Sequence, residues 1–182
     1  MANNADSSYR FFGSEETLNK LMNTIKCGDR LCTIIDNLGG NSDGYIRGEV
    51  YWIDREDNHV WVEADTAWDE QPDFIMRMRE IFKGDEEFRI EWQCEEPGCR
   101  VYRTNVHGAL YGEFLGVIDY EEEYFDTDTE AISYFTQWAK DEGIEHPEWK
   151  DFDEMKEWLD QWSEDNTDDR EARACHFEII SE

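Results

Sequence analysis

Basic residues and long apolar runs are scarce in this chain. Its 182 residues hold 17 Lys and Arg against 46 Asp and Glu, giving a formal charge of −29. Direct binders of nucleic acid or anionic membranes need a basic surface to displace counterions, so we exclude both as partners. No run approaches the 18 apolar residues of a membrane span. The first ten residues lack the features of a signal peptide, so we expect a cytoplasmic protein.

Recognisable catalytic motifs are also missing. The sequence contains no HExxH, GxSxG, P-loop or GxGxxG pattern, and its four histidines are scattered. With 46 acidic residues, a pair of carboxylates close in sequence says nothing about acid–base catalysis. We therefore expect neither an enzyme nor a bound cofactor.

The five cysteines leave one metal-binding alternative open. Cys27 and Cys32, and likewise Cys94 and Cys99, are separated by four residues. Four thiolates could hold zinc, although the usual knuckle has two intervening residues. A Cys94–Cys99 disulfide is a further alternative. The odd fifth cysteine, Cys175, favours reduced thiols in a reducing compartment.

Aromatic residues are abundant, at 14% of the chain, and indicate a folded domain rather than an acidic disordered one. Hydrophobic periodicity from Tyr9 to Cys94 predicts the order β-α-β-β-α-β, with residues 31–35 as an edge strand. This is an α+β, ferredoxin-like order with an antiparallel sheet. We place this core in residues 1–118. An acidic helical extension follows in residues 119–182, with helices at 128–142 and 151–164 and a closing strand at 175–180.

A resemblance supports the same core. Trp68 and Pro72 form a W-x-x-x-P segment before the second helix, and FRIEWQCEEPG follows that helix at residues 88–98. This pattern resembles the YubB-like ferredoxin-fold family, whose members are uncharacterised proteins of phages and conjugative plasmids. The resemblance covers about residues 8–118. It implies a ferredoxin-like core in a mobile element and brings no catalytic residues.

Negative charge is concentrated in the extension. Residues 113–182 hold 24 acidic and 5 basic side chains. In the second predicted helix, acids at 4-3-4 spacing place one carboxylate per turn along one face. We expect this helix, its neighbour and the Glu-Glu-Glu segment to combine into one partner-binding surface. Its residues are Glu121, Glu122, Glu123, Asp126, Asp128, Asp153, Glu154, Glu157, Asp160, Glu164, Asp165, Asp168 and Asp169.

A folded array of carboxylates can imitate phosphates and occupy the basic channel of a DNA-binding protein. The sequence therefore favours a DNA mimic from a mobile element that inhibits a host defence system, such as a CRISPR effector or a restriction enzyme. Its partner would be a basic nucleic-acid-binding protein. An acidic binding module without inhibitory role, a metal-binding or enzymatic domain, and adaptation to high salt are the alternatives. The aromatic-rich edge strand also leaves a homodimer open.

Overall fold

The computed structural model describes residues 4–166 and 170–181 and has an α+β fold. It divides into two compact units. One contains the described residues up to Val106 and those from Ile179 onward, and the other contains His107–Glu178. None of the helices in the described ranges is long and apolar enough to cross a membrane.

The secondary-structure elements alternate between strands and helices. In chain order they are β1 (Asn4–Phe12), α1 (Glu15–Thr24), α2 (Leu31–Asn37), β2 (Gly48–Arg55), β3 (His59–Ala67), α3 (Pro72–Ile81), β4 (Arg89–Glu96), a 3-10 turn (Pro97–Cys99), β5 (Val101–Thr104), β6 (Phe114–Ile118), β7 (Glu121–Phe125), α4 (Asp128–Glu142), α5 (Phe152–Asp165), β8 (Ala172–His176) and β9 (Glu178–Ile179).

The first unit is built on a six-stranded sheet with the order β2-β3-β1-β4-β5-β9. The pairs β2–β3, β3–β1, β1–β4 and β4–β5 are antiparallel. Odd-numbered residues of β1, such as Tyr9 and Phe11, are fully buried beside Phe74 of α3. The sheet therefore has one face in a hydrophobic core, as the alternation in the sequence predicts.

Residues 31–35 were expected to form an edge strand, and that expectation is wrong: they lie in helix α2. Leu31, Ile34 and Ile35 are all fully buried. Their spacing of three and four residues places them on one helical face. A short apolar run of this kind does not by itself distinguish a strand from a helix, which accounts for the error.

Asp85 fixes the start of α1. Its carboxylate accepts hydrogen bonds from the backbone N–H of Ser14 (2.8 Å), the Ser14 hydroxyl (2.8 Å) and the Thr17 hydroxyl (2.5 Å). These hydrogen bonds, led by that from Thr17, lower the pKa of Asp85 to about 2. A residue 71 positions beyond Ser14 in sequence thus supports the first turn of this helix.

The second unit packs two helices on a three-stranded antiparallel sheet with the order β7-β6-β8. Phe135 of α4 and Met155 and Leu159 of α5 are fully buried in its core. Gly116 permits close packing, because a Cβ there would lie 3.1 Å from ring atoms of Phe125 and Phe135.

The observed division of the chain differs from the expected boundary at residues 118 and 119. That position lies between β6 and β7, which are hydrogen-bonded neighbours in one sheet. β6 is the central strand of the second unit, although the sequence places it in the core of the first. The closing strand expected at residues 175–180 is divided between β8 and β9, which belong to different sheets.

Candidate functional site

Helix α5 is held in place by its cap and by its apolar side. The Asp151 carboxylate accepts a hydrogen bond from the Glu154 backbone N–H at 2.9 Å, which satisfies one of the free donors of the first turn. Phe152, Met155 and Leu159 are buried against the unit's core. Near the other end, the Ser163 hydroxyl donates to the Ala172 carbonyl at 2.7 Å. Both ends of the helix are therefore anchored.

The acidic row on α5 lies opposite this buried side. We define it as Asp153, Glu157, Asp160 and Glu164. At a helical rise of about 1.5 Å per residue, the four Cα atoms span about 16 Å and lie within a narrow arc of the helix surface. Asp153, Glu157 and Glu164 are exposed, whereas Asp160 is partly buried. The structure thus produces the one-carboxylate-per-turn arrangement that the sequence spacing predicts.

Three carboxylates of the row are not neutralised by an ion pair in the described residues. Within residues 4–166 and 170–181, Asp153, Glu157 and Glu164 have no ion-pair partner within 4 Å. The ion pairs of this unit use other acids: Lys150 binds Glu154, and Arg170 binds both Asp119 and Glu142. These basic side chains of the unit therefore pair with other acids and not with the three exposed carboxylates of the row.

Several predicted surface residues have structural roles instead. Lys150 donates to Glu154 at 2.6 Å, and this contact holds the pKa of the Glu154 carboxyl below its usual range. Asp165 accepts a hydrogen bond from Gln161 at 3.2 Å in the last turn of α5. Asp128 lies in the first turn of α4, where the helix dipole favours an acid. Asp168 and Asp169 lie outside the described residues.

Strand β7 carries the Glu-Glu-Glu segment at the edge of its sheet. Glu121, Glu122 and Glu123 are all exposed, as is Asp126 just after the strand. Glu121 and Glu123 lie on the side facing α4. Burial, followed by the charges of Glu123 and Glu121, raises the pKa of Tyr134 on that helix. Charged side chains on an edge strand prevent pairing with another chain, so these glutamates have an ordinary structural explanation.

Strand β7 and helix α5 are held by different parts of the sheet. α5 packs on β8, whereas α4 packs on β6 and β7. β7 and β8 are the two opposite edges of the sheet, about 10 Å apart at the usual strand spacing. The two groups of carboxylates therefore lie on elements that pack on different strands. That they act together as one partner-binding surface stays a prediction.

The four cysteines of the alternative zinc site do not form one. Cys94 is fully buried, Cys27 and Cys99 are exposed, and all five cysteines are free thiols. Within the described ranges, no group of three or more His, Cys, Asp or Glu side chains is placed to hold a metal ion. Burial raises the pKa of the Cys94 thiol to about 12, which keeps it protonated and unreactive.

The sequence analysis missed a second polar surface, on the face of the six-stranded sheet opposite its core. We call it the open face and define it by the residues of β1 to β4 that point away from the core. It is exposed mainly along β2, β3 and the start of β1, whereas Gln93 and Glu95 of β4 are buried. The exposed aromatics Tyr51 (46%) and Trp52 (40%) lie there beside Asp6, Glu63 and Asp65. Alternation in β3, where Trp61, Glu63 and Asp65 interleave with buried residues, was the available signal.

Comparison of the chain with family models, curated proteins and solved structures found no match.

Proposed function

We propose that this chain is a non-enzymatic interaction protein that binds a basic nucleic-acid-binding protein as a mimic of DNA phosphates. The observation that carries this proposal is the acidic row of α5, in which three exposed carboxylates on a well-anchored helix have no ion-pair partner in the described parts of the chain. A rigid helix holds these charges at fixed spacing, so that a partner does not have to order them on binding.

The spacing defines what the row can imitate. Measured along the helix axis, its carboxylates follow one another at about 5 to 6 Å, compared with an axial rise of about 3.4 Å per phosphate in one DNA strand. The row is therefore sparser than a strand of duplex DNA. It matches a short series of Lys or Arg side chains on a partner better than a whole DNA channel. Such binding should be fast at low salt and weaken steeply as salt is added.

The biological setting in this proposal comes from the sequence resemblance. A YubB-like core indicates a phage or conjugative plasmid, and an acidic mimic encoded there would act in the host cytoplasm against a defence effector such as a CRISPR effector or restriction enzyme.

A ferredoxin-like topology for the first unit belongs to the same proposal. The order β2-β3-β1-β4 supports it, with α2, β5 and β9 as additions to the four-stranded pattern.

The test is capture from a bacterial lysate on the immobilised protein. Bound proteins are eluted by a salt gradient and, separately, by excess duplex DNA, and are identified by mass spectrometry. We expect nucleic-acid-binding proteins that duplex DNA displaces. Captured proteins that duplex DNA does not displace would contradict mimicry and favour an acidic binding module without inhibitory role.

A matched pair of variants then tests the acidic row itself. D153K/E157K/E164K reverses the three exposed charges, and D36K/D57K/E86K makes the same change in net charge at exposed sites of the first unit. Loss of the partner in the first variant and retention in the second are expected. Equal effects of the two variants would show that total charge, not this helix, determines binding. Circular dichroism spectra confirm that both variants are folded.

A further inference from the structure

The open face of the first unit contains a row of carboxylates that runs across four strands. In the sheet register, Glu49 lies opposite Asp65, Asp65 opposite Asp6, and Asp6 opposite Glu95. Cβ atoms of directly opposed residues are about 4.5–5.5 Å apart, and like charges at that distance destabilise a sheet. Glu49, Asp65 and Asp6 are exposed, whereas Glu95 is buried and accepts a hydrogen bond from Gln93 at 3.0 Å. Cationic side chains of a partner can therefore reach three members of the row.

Tyr51 links two carboxylates of the same region through its hydroxyl. It lies at an irregularity in β2, between Val50 and Trp52, and reaches across β3. Its hydroxyl is 2.7 Å from Asp6 Oδ1 and 3.2 Å from Glu63 Oε2. Burial, followed by the hydrogen bond to Asp6, raises the pKa of Tyr51, so its phenol stays neutral and donates to these carboxylates.

Aromatic rings on this face already hold guanidinium groups. Arg10 lies opposite Trp61, with its Cζ 4.2 Å from the ring centroid. Arg89 lies opposite Phe12, with its Cζ 3.6 Å from the ring centroid. Both are cation–π contacts between neighbouring strands. The face therefore has the chemistry to bind guanidinium groups.

Trp52 is a further aromatic ring on this face, and it lies beside carboxylates. It is 40% exposed and contacts the Trp61 ring edge-on, with 5.9 Å between centroids. The residue directly opposite is Glu63, and Asp54 follows two positions along the strand. In the part of the chain that the structure describes, no Lys or Arg lies over the Trp52 ring. The ring and its flanking carboxylates can receive a guanidinium from outside.

We propose that the open face binds an arginine-rich segment of a protein partner, with one arginine stacked on Trp52 beside Glu63 and others paired with Asp6, Asp65 and Glu49. Arginine fits better than lysine, because its planar group stacks on an aromatic ring while it donates to carboxylates. Nucleic acid fits poorly, because the row of carboxylates would repel its phosphates. This inference rests on the proposed function, since it assumes a basic partner, and adds a second contact surface for it.

The experiment measures binding of a fluorescein-labelled peptide of nine arginines by fluorescence anisotropy. W52L removes the aromatic ring but keeps an apolar side chain and the net charge, and we expect its affinity to fall about three- to fivefold. W52F keeps a ring and should restore most of the affinity. D6N/D65N should weaken binding about threefold or more, whereas D36N/E86Q, with the same change in charge at distant exposed sites, should change it less than about twofold.

Three results would overturn the inference. W52L could bind the peptide as tightly as the parent protein, D6N/D65N could match D36N/E86Q, or a single-stranded oligonucleotide could compete for the face. The first two would mean that the peptide responds only to total charge, and the third that the face receives bases. Thermal denaturation of each variant shows that it is folded. If duplex DNA fails to displace the lysate partners, only phosphate mimicry is refuted. The open face is tested separately, because W52L and W52F change the aromatic ring without changing the net charge.

Discussion

The acidic row of α5 should reduce the stability of the protein that carries it. Adjacent carboxylates about 6 Å apart repel each other by about 0.7 kcal/mol in unscreened water. At 0.15 M salt the Debye length of about 8 Å reduces this to about 0.3 kcal/mol for each pair. Glu157 and Glu164 take part in all three adjacent pairs of the row. E157Q/E164Q should therefore raise the free energy of unfolding by about 1 kcal/mol at 0.15 M salt, and by nearly 2 kcal/mol at 10 mM salt.

Urea denaturation at 10 mM, 0.15 M and 1 M NaCl measures this effect. The matched control is E145Q/E148Q, which removes two exposed charges from the loop before α5 in the same unit. Gln and Glu have similar helix propensities, so the substitution itself should change little. The gain should shrink as salt increases. A gain at 10 mM no larger than that of the control would refute the account of repulsion within the row.

Three further predictions concern residues outside the acidic row. The pKa of Asp85 is lowered to about 2 in the folded protein, so its ionised carboxylate should make the wild type more stable than D85N at all pH values above about 4. Urea titrations should show that this difference in stability disappears as the pH falls towards 2. G116A should destabilise the second unit by about 1–3 kcal/mol in thermal denaturation, because its methyl group would press on two phenylalanine rings. In native thiol labelling followed by mass spectrometry, Cys27 and Cys99 should react first and Cys94 only on unfolding.

Local signals in the sequence predicted four of the five helices in the described residues, all except α2. Helix α5 was expected at residues 151–164 and is observed at Phe152–Asp165, because an acidic N-cap and apolar residues at three- and four-residue spacing define a helix without reference to the rest of the chain. The same periodicity correctly placed the acidic row on one face. Features that depend on one turn of helix were therefore predictable.

Features that depend on distant pairing were not. Three consecutive glutamates give no strand signal, and β7 exists because Phe114–Ile118 supplies its hydrogen-bond partners. The separation of β7 from α5 follows from the order β7-β6-β8, which only tertiary structure determines. The open face was missed for the same reason: Asp6 and Asp65 are 59 positions apart in sequence, and only the register places them opposite each other.

Net charge alone does not identify a binding surface, because many of the acids have structural uses. Asp151 caps a helix, Asp85 anchors another, and Glu154 is paired with Lys150. The β7 glutamates protect an edge strand. In the described residues, Asp153, Glu157 and Glu164 on α5 and Glu49 and Asp65 on the open face are among the acids that have no such use. We expect like-charge repulsion at these positions to lower stability. Residues that lower the stability of a protein are retained when its function requires them. We therefore expect that neutralising these same carboxylates raises the stability of the isolated protein and weakens partner binding most.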